Sequence, residues 1–183
     1  SPYAAAKLYG YYLTKIYRDA YNLFCVNGVL FNHESPRRGG NLVTMKIVNA
    51  VKNIQNNKQD WVELGNLYSK RDWGHAKDYV NGMWLMMQQD KPQDFVLATG
   101  KTYTVKDFVE RCFNYVNMKL HWEGENENEV GMDENNIIRV KINPKYYRPN
   151  EVELLLGDST KAQTELNWKC EYNLDLLIED MML

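Results

Sequence analysis

Long hydrophobic runs are missing from this chain: no apolar stretch approaches the roughly 18 residues that a membrane span requires. Cysteine is scarce, with Cys25, Cys112 and Cys170 as the full set. Three widely spaced thiols cannot form a paired disulfide framework and read as reduced intracellular cysteines. Histidine is equally sparse and scattered (His33, His75, His121), which argues against a zinc site. Charge of one sign is missing too. A formal net charge of -2 over 183 residues gives no bulk attraction to nucleic acid or to an anionic membrane. No basic and hydrophobic leader opens the sequence. Finally, the 11 glycines form no G-x-x-G-x-x-G turn, the device that brings backbone close to a dinucleotide pyrophosphate.

Hydrophobic residues make up 44%, enough for one ordinary globular core, and 13 tyrosines and five tryptophans suit either that core or a stacking surface. The pattern along the chain alternates helix and strand. Residues 3 to about 19 predict a helix with Leu8, Tyr12 and Ile16 as its apolar stripe, closed by Asn22. The apolar run from Leu23 to Phe31 predicts a buried strand, followed by a polar loop from Asn32 to Gly40. A helix is expected over 43–55 with Val43, Ile47, Val51 and Ile54 on one side.

Trp61–Leu64 predicts a strand, 76–89 a helix with Val80, Met83, Trp84 and Met87 on one face, and Phe95–Ala98 a strand. Thr104 is placed to cap a helix running to about Tyr115. Residues 123–136 hold six acids and no base and read as a solvated loop. Ile137–Ile142 predicts another strand, Tyr146–Pro149 a turn, and 159–167 and 174–182 two helices. The alternation predicts an α/β protein with a largely parallel sheet.

Chemistry first shows in Tyr3 and Lys7. Four residues apart on a helix they project from one face, and an ammonium beside a phenol favours the phenolate. Such a pair can move a proton near neutral pH. Alone the spacing is weak, because helical Tyr/Lys pairs are common and mostly structural. Arg71 and Arg148, with Lys46 on a nearby helix, are of the type a diphosphate requires. Glu151, just after Arg148, suits guanine, whose N1–H and amino group are both donors. Taken singly, each of these charges reads equally well as a surface residue or structural ion pair.

Several blocks together are specific. Ser1-Pro2-Tyr3 through Lys7 resembles the active-site helix of extended short-chain dehydrogenase/reductases. Asn27 through Gly39, which includes Asn32-His33-Glu34-Ser35-Pro36-Arg37-Arg38-Gly39, resembles the signature loop of the GDP-mannose 4,6-dehydratases within that superfamily. Leu64-Gly65-Asn66, Lys70 through Tyr79, Tyr147 through Asp158 and Lys161 to Trp168 resemble the same enzymes, in register along the chain. The acidic stretch is the weakest part of the match.

The resemblance implies a fold: the C-terminal part of a Rossmann-type doubly wound α/β fold beside a smaller substrate lobe. Residues 1–31 and 76–100 would belong to the cofactor domain, and 32–75 and 101–183 to an interleaved GDP-sugar lobe. It implies dehydration of GDP-mannose to GDP-4-keto-6-deoxymannose, the first step toward GDP-fucose, by an internal redox cycle on NADP. Tyr3 would be the acid/base, and Lys7 its electrostatic partner and a ribose contact. His33 and Arg38 would be further cofactor contacts. Asn32, Val43, Lys46, Leu64, Asn66, Arg71, Arg148 and Glu151 would line the GDP-sugar site. Met45 departs from the pattern, which commonly has a base there. His75 reads as a helix cap and Trp73 as packing.

The family's catalytic Ser or Thr and its Glu lie upstream of the tyrosine, so the 183 residues are expected to be the C-terminal half and inactive alone. A cytoplasmic homodimer or homotetramer is expected, with no nucleic acid or membrane partner. Two rivals remain: another nucleotide-sugar epimerase or dehydratase of the superfamily, and a non-catalytic scaffold remnant.

Overall fold

The computed structural model describes residues 1–147 and 152–183. It opens on helix α1 (Pro2–Tyr21). Ser1 caps it by accepting from the Ala4 amide at 3.2 Å, Pro2 fits the first turn, and Asn22 ends it in a left-handed conformation at φ 51°. The stripe expected to be buried is not: Leu8, Tyr12 and Ile16 are more than half exposed, and α1 buries no residue.

What holds α1 is at its far end. Arg18 Nη1 donates to Asp94 Oδ1 at 2.6 Å and Nη2 to Oδ2 at 3.2 Å, while the Asn27 amide donates to the same Oδ1 at 2.8 Å. Burial pushes the Asp94 carboxyl up, but the Arg18 and Asn27 bonds outweigh it and leave it at about 2.

The long apolar run contributes only a short strand, β1 (Gly28–Leu30), and the polar loop after it contains a second, β2 (Asn32–Glu34). Helix α2 (Val43–Gln55) follows as expected, then β3 (Val62–Leu64), β4 (Lys70–Arg71), β5 (Trp73–His75) and helix α3 (Ala76–Met87). Next come β6 (Phe95–Leu97), β7 (Tyr103–Thr104) and α4 (Val105–Tyr115), whose start is a reciprocal box between Thr104 and Asp107. β8 (His121–Glu123), β9 (Val130–Met132), β10 (Ile138–Ile142), α5 (Thr160–Glu165) and α6 (Leu174–Met182) complete the chain.

Parallel pairing joins β1 to β6, β2 to β5 and β3 to β10. Antiparallel pairing adds β9 and β8 to β10, and joins β4 to β7. The parallel pairs between strands distant in sequence are those of an α/β protein.

Two hydrophobic clusters form. The larger packs α2, α4 and α6 with β3, β10 and Trp73. The smaller gathers Tyr79, Met86, Phe95 and Leu97 with Ala162, Leu166 and Trp168.

Two expectations are corrected. On α3 the face carrying Val80, Met83, Trp84 and Met87 points to solvent, while Asp78, Tyr79, Gly82 and Met86 are buried. Gly82 decides this, because a Cβ there would come 2.5 Å from Leu97 Cδ1 and 3.0 Å from Trp168 Nε1. The helix turns its smallest residue inward so that it can approach β6 and Trp168. The acidic stretch is not all solvated either. It contains β9, and Glu129 and Asp133 are buried. Lys106 Nζ at 2.7 Å and the Tyr68 hydroxyl at 2.8 Å engage Glu129, and Arg139 Nε donates to Asp133 at 2.8 Å.

Candidate functional site

Short elements end around one cavity of about 470 Å³. β2 brings Asn32 and Glu34, and the loop after it brings Arg38. The first turn of α2 brings Val43, Thr44 and Lys46; the end of β3 brings Leu64, Gly65 and Asn66. β4 adds Arg71, and the turn after β10 adds Lys145, Tyr146 and Tyr147. Asn32, Arg38, Val43, Lys46, Leu64, Asn66 and Arg71, singled out in the sequence, therefore share one wall-to-wall space.

The cavity's charge is lopsided. Arg38, Lys46, Arg71 and Lys145 line it, and Glu34 is the single acid among its described lining residues. The N-terminus of α2 opens into it with Leu42 at the cap position, no side-chain cap bond and no acid in its first turn. The positive end of the helix dipole adds to the basic side chains and makes the cavity electropositive, a setting that can attract an anion.

Individual side chains are held in definite places. Lys46 Nζ sits 3.6 Å from the centre of the Tyr146 ring, a cation–π contact between two residues of the cavity lining. Arg71 Nη1 donates to the carbonyls of Val152 at 2.6 Å and Lys70 at 2.9 Å. Asn66 Oδ1 accepts from the Tyr68 amide at 2.9 Å. Gly65 is needed for closeness, since a Cβ there would lie 2.6 Å from the Tyr146 carbonyl oxygen.

Asp72, next to Arg71 and fully buried, accepts from the Thr99 and Gly100 amides at 2.9 and 3.0 Å. Sequence reading passed over it and over Glu34 and Tyr146, although Glu34 stands inside the quoted signature loop.

Other predicted residues stand apart from this cavity. His33 Nδ1 lies 2.8 Å from the Phe31 carbonyl, which fixes Nδ1 as the protonated nitrogen, and its ring stacks on Tyr79 at 5.0 Å. His33 is absent from the cavity lining. Tyr3 and Lys7 project from exposed α1, with Tyr3 74% accessible. Arg148 and Glu151 lie outside the described residues. His75 is the α3 cap, accepting from the Lys77 amide at 3.0 Å through Nδ1, which leaves Nε2 to donate to Asp180 at 2.8 Å. Trp73 packs on Phe108 with ring centres 5.2 Å apart.

This architecture is that of the Rossmann-type dehydratases and epimerases. It superposes on RMD from Pseudomonas aeruginosa, solved with NADPH, at a TM-score of 0.81 and 14% identity, covering 99% of this chain and 54% of that one. dTDP-glucose 4,6-dehydratase from Bacillus anthracis, solved with NAD, gives a TM-score of 0.76 at 14% identity, covering all of this chain and 51% of that one. At such identities the likeness is one of fold. A family model described as GDP-mannose 4,6 dehydratase matches residues 1–181, and the chain belongs to that family. It is 52% identical to GDP-mannose 4,6 dehydratase of Drosophila melanogaster and 54% identical to that of Homo sapiens, over its whole length and 46% and 49% of theirs. The chain thus spans about half the length of these relatives.

Proposed function

We propose that these residues form the nucleotide-sugar site and part of the catalytic helix of a GDP-mannose 4,6-dehydratase. The reaction is conversion of GDP-mannose to GDP-4-keto-6-deoxymannose and water, the step that opens the route to GDP-fucose. One observation carries the reading: a cavity joining four basic side chains to an uncapped helix N-terminus, on a chain of this family. A diphosphate is a dianion with oxygens in two tetrahedra, and it takes donors from several directions at once. Lys46 and Arg71, from different elements, supply them, with Asn32 and Asn66 as neutral donors and Val43 and Leu64 as apolar wall. Arg148 would add to the diphosphate contacts and Glu151 would read guanine.

Tyr3 and Lys7 fit the nicotinamide end of an NADP molecule. They share one face of α1 and stand open to a ligand. Lys7 would orient the nicotinamide ribose, and the Tyr3 oxygen would take the proton from the C4 hydroxyl of the sugar. His33 and Arg38 would hold the cofactor further along. When bound, NADP would supply reversible hydride transfer to and from the sugar, with no net oxidation over the cycle.

Two lobes follow from the same reading, 1–31 with 76–100 as cofactor domain and 32–75 with 101–183 as sugar lobe. The larger hydrophobic cluster draws only on 32–75 and 101–183, which supports the division, while the smaller one crosses it by packing Ala162, Leu166 and Trp168 on Tyr79, Met86, Phe95 and Leu97. The assembly is proposed to be a cytoplasmic homodimer or homotetramer, with Arg37 and Arg38 on a loop that reaches a neighbouring subunit's cofactor. Among the described residues no helix is long and apolar enough to cross a membrane.

The test is mass spectrometry of GDP-mannose incubated with NADP+ and the full-length protein containing this sequence. Loss of one water from the sugar nucleotide, abolished by Tyr3→Phe, is the expected result. An unchanged substrate mass, or a change that survives Tyr3→Phe, overturns it.

A further inference from the structure

An open aromatic ring stands in the wall of the basic cavity and belongs to neither hydrophobic cluster. Three aromatic residues are among the described lining: Trp73, Tyr146 and Tyr147. Trp73 is 3% exposed and packs on Phe108, so its ring is already engaged by the core. Tyr146 and Tyr147 are 47% and 39% exposed. Of these two, Tyr146 carries the Lys46 ammonium 3.6 Å from its ring centre.

The backbone beneath this ring is fixed. The Tyr146 amide donates to the Asn143 carbonyl at 3.0 Å, and the Tyr146 carbonyl lies so near Gly65 that a Cβ there would come within 2.6 Å of its oxygen. Tyr146 therefore stands in a set place beside the end of β3, and Lys46 reaches its ring from the first turn of α2.

Resting on the reading of the cavity as the diphosphate site, we propose that Tyr146 is the platform on which the nucleobase stacks, exchanging places there with Lys46. A stacked nucleobase brings its atoms to about 3.5–4 Å from the ring, the layer that the ammonium holds here. The two cannot share it. A cation–π contact at an exposed ring is a weak one, and it yields to a nucleobase that brings a diphosphate with it. Stacking thus releases Lys46 to the diphosphate, where it joins Arg71 in the same cavity. An aromatic face accepts any nucleobase, so Tyr146 adds affinity and leaves the choice of guanine to groups at the edge of that ring system.

The test is calorimetric titration of GDP and of inorganic pyrophosphate into the full-length protein as wild type, Tyr146→Phe and Tyr146→Leu. Tyr146 is half exposed, so both variants should keep the native melting temperature. Tyr146→Phe retains the ring and is expected to bind both probes as wild type does. Tyr146→Leu is expected to weaken GDP about tenfold and to bind pyrophosphate no more weakly than wild type, because leucine cannot stack while Lys46 stays available. A ring that only seats Lys46 would weaken both probes alike in Tyr146→Leu. That result overturns the proposal, as does GDP affinity left unchanged by the leucine, and both leave the cavity's function intact. If wild type binds neither GDP nor pyrophosphate, the cavity's function fails and the proposal falls with it.

Discussion

Helices α1 and α2 carry equally legible apolar stripes and meet opposite fates. α2 buries Thr44, Met45, Ile47, Val48, Ala50, Val51 and Ile54 between α4, α6 and β3, whereas α1 buries nothing. An amphipathic pattern is a demand for a partner, and it does not say where the partner is. For α2 the partner lies within the described residues. For α1, nothing among them covers Leu8, Tyr12 or Ile16, and the Arg18–Asp94 pair is its main anchor. The region with the cavity is built on a core of its own, while the helix with the Tyr3/Lys7 pair has no such core among the described residues.

The contrast can be broken most forcefully in the core. Phe108 is fully buried against Trp73, so Phe108→Ala is expected to cost about 3–5 kcal/mol in chemical denaturation. Ile16→Ala on α1 is expected to stay within about 0.5 kcal/mol in the same 183-residue chain. Equal losses at the two positions would show that α1 is packed after all.

Chemistry should divide along the same line. In the full-length protein Tyr3→Phe is expected to cut turnover by roughly 10²–10⁴ and leave GDP affinity alone, because the role proposed for the Tyr3 oxygen is to take the proton of the sugar hydroxyl and not to hold phosphate. Steady-state kinetics alongside calorimetry would separate the two, and a parallel loss of affinity would contradict the division.

Gly65→Ala tests how tightly the cavity is drawn. Its new methyl would collide with the Tyr146 backbone, and backbone yields less than a side chain, so a stability loss of about 1–3 kcal/mol is expected. Weaker GDP binding should accompany it, since the Tyr146 ring that seats Lys46 must move. A variant with native melting and native affinity would show that the turn gives way freely.

The smallest effect concerns the anchor of α1. The Asp94 carboxyl stands at about 2 in the folded chain, below the roughly 3.9 of an unfolded one. Its contribution is complete above about pH 4 and fades as pH falls toward 2. The pair is partly exposed, so its worth is about 1 kcal/mol or less. Amide exchange at Asn27, whose N–H is held by Asp94, is expected to accelerate over that window and to be fast at every pH in Asp94→Asn. Protection that persists at pH 2 would remove Asp94 from its anchoring role.

The sequence disclosed local devices well and distant ones poorly. The Thr104 cap, the Asn22 terminus and the span of α2 depend on residues within a few positions, and each appears as read. β2 (Asn32–Glu34) and β5 (Trp73–His75) went unseen because neither three-residue strand holds an apolar run, and the distant parallel pairing of Asn32 with Trp73 defines them. The buried face of α3 was misassigned because its decisive residue, Gly82, contributes by having no side chain. Glu129 looked like one more acid in a solvated stretch, but Tyr68 and Lys106 reach it from far along the chain.

The cavity was read in the same uneven way. Arg38 and Arg71 stand in quoted motif blocks and Lys46 was singled out on its helix, but Lys145 was not. Glu34 was overlooked because Arg38 and Thr44 meet it at a single oxygen, which spacing does not reveal.

The most direct measurement is calorimetric titration of GDP into the full-length protein and its Lys46→Ala variant. Lys46 lines the cavity yet sits on the firmly buried α2, so the variant should fold normally. Saturable binding by wild type, weakened about tenfold by Lys46→Ala, is expected if the diphosphate lies at the α2 N-terminus. The same dissociation constant in both proteins would place the nucleotide elsewhere.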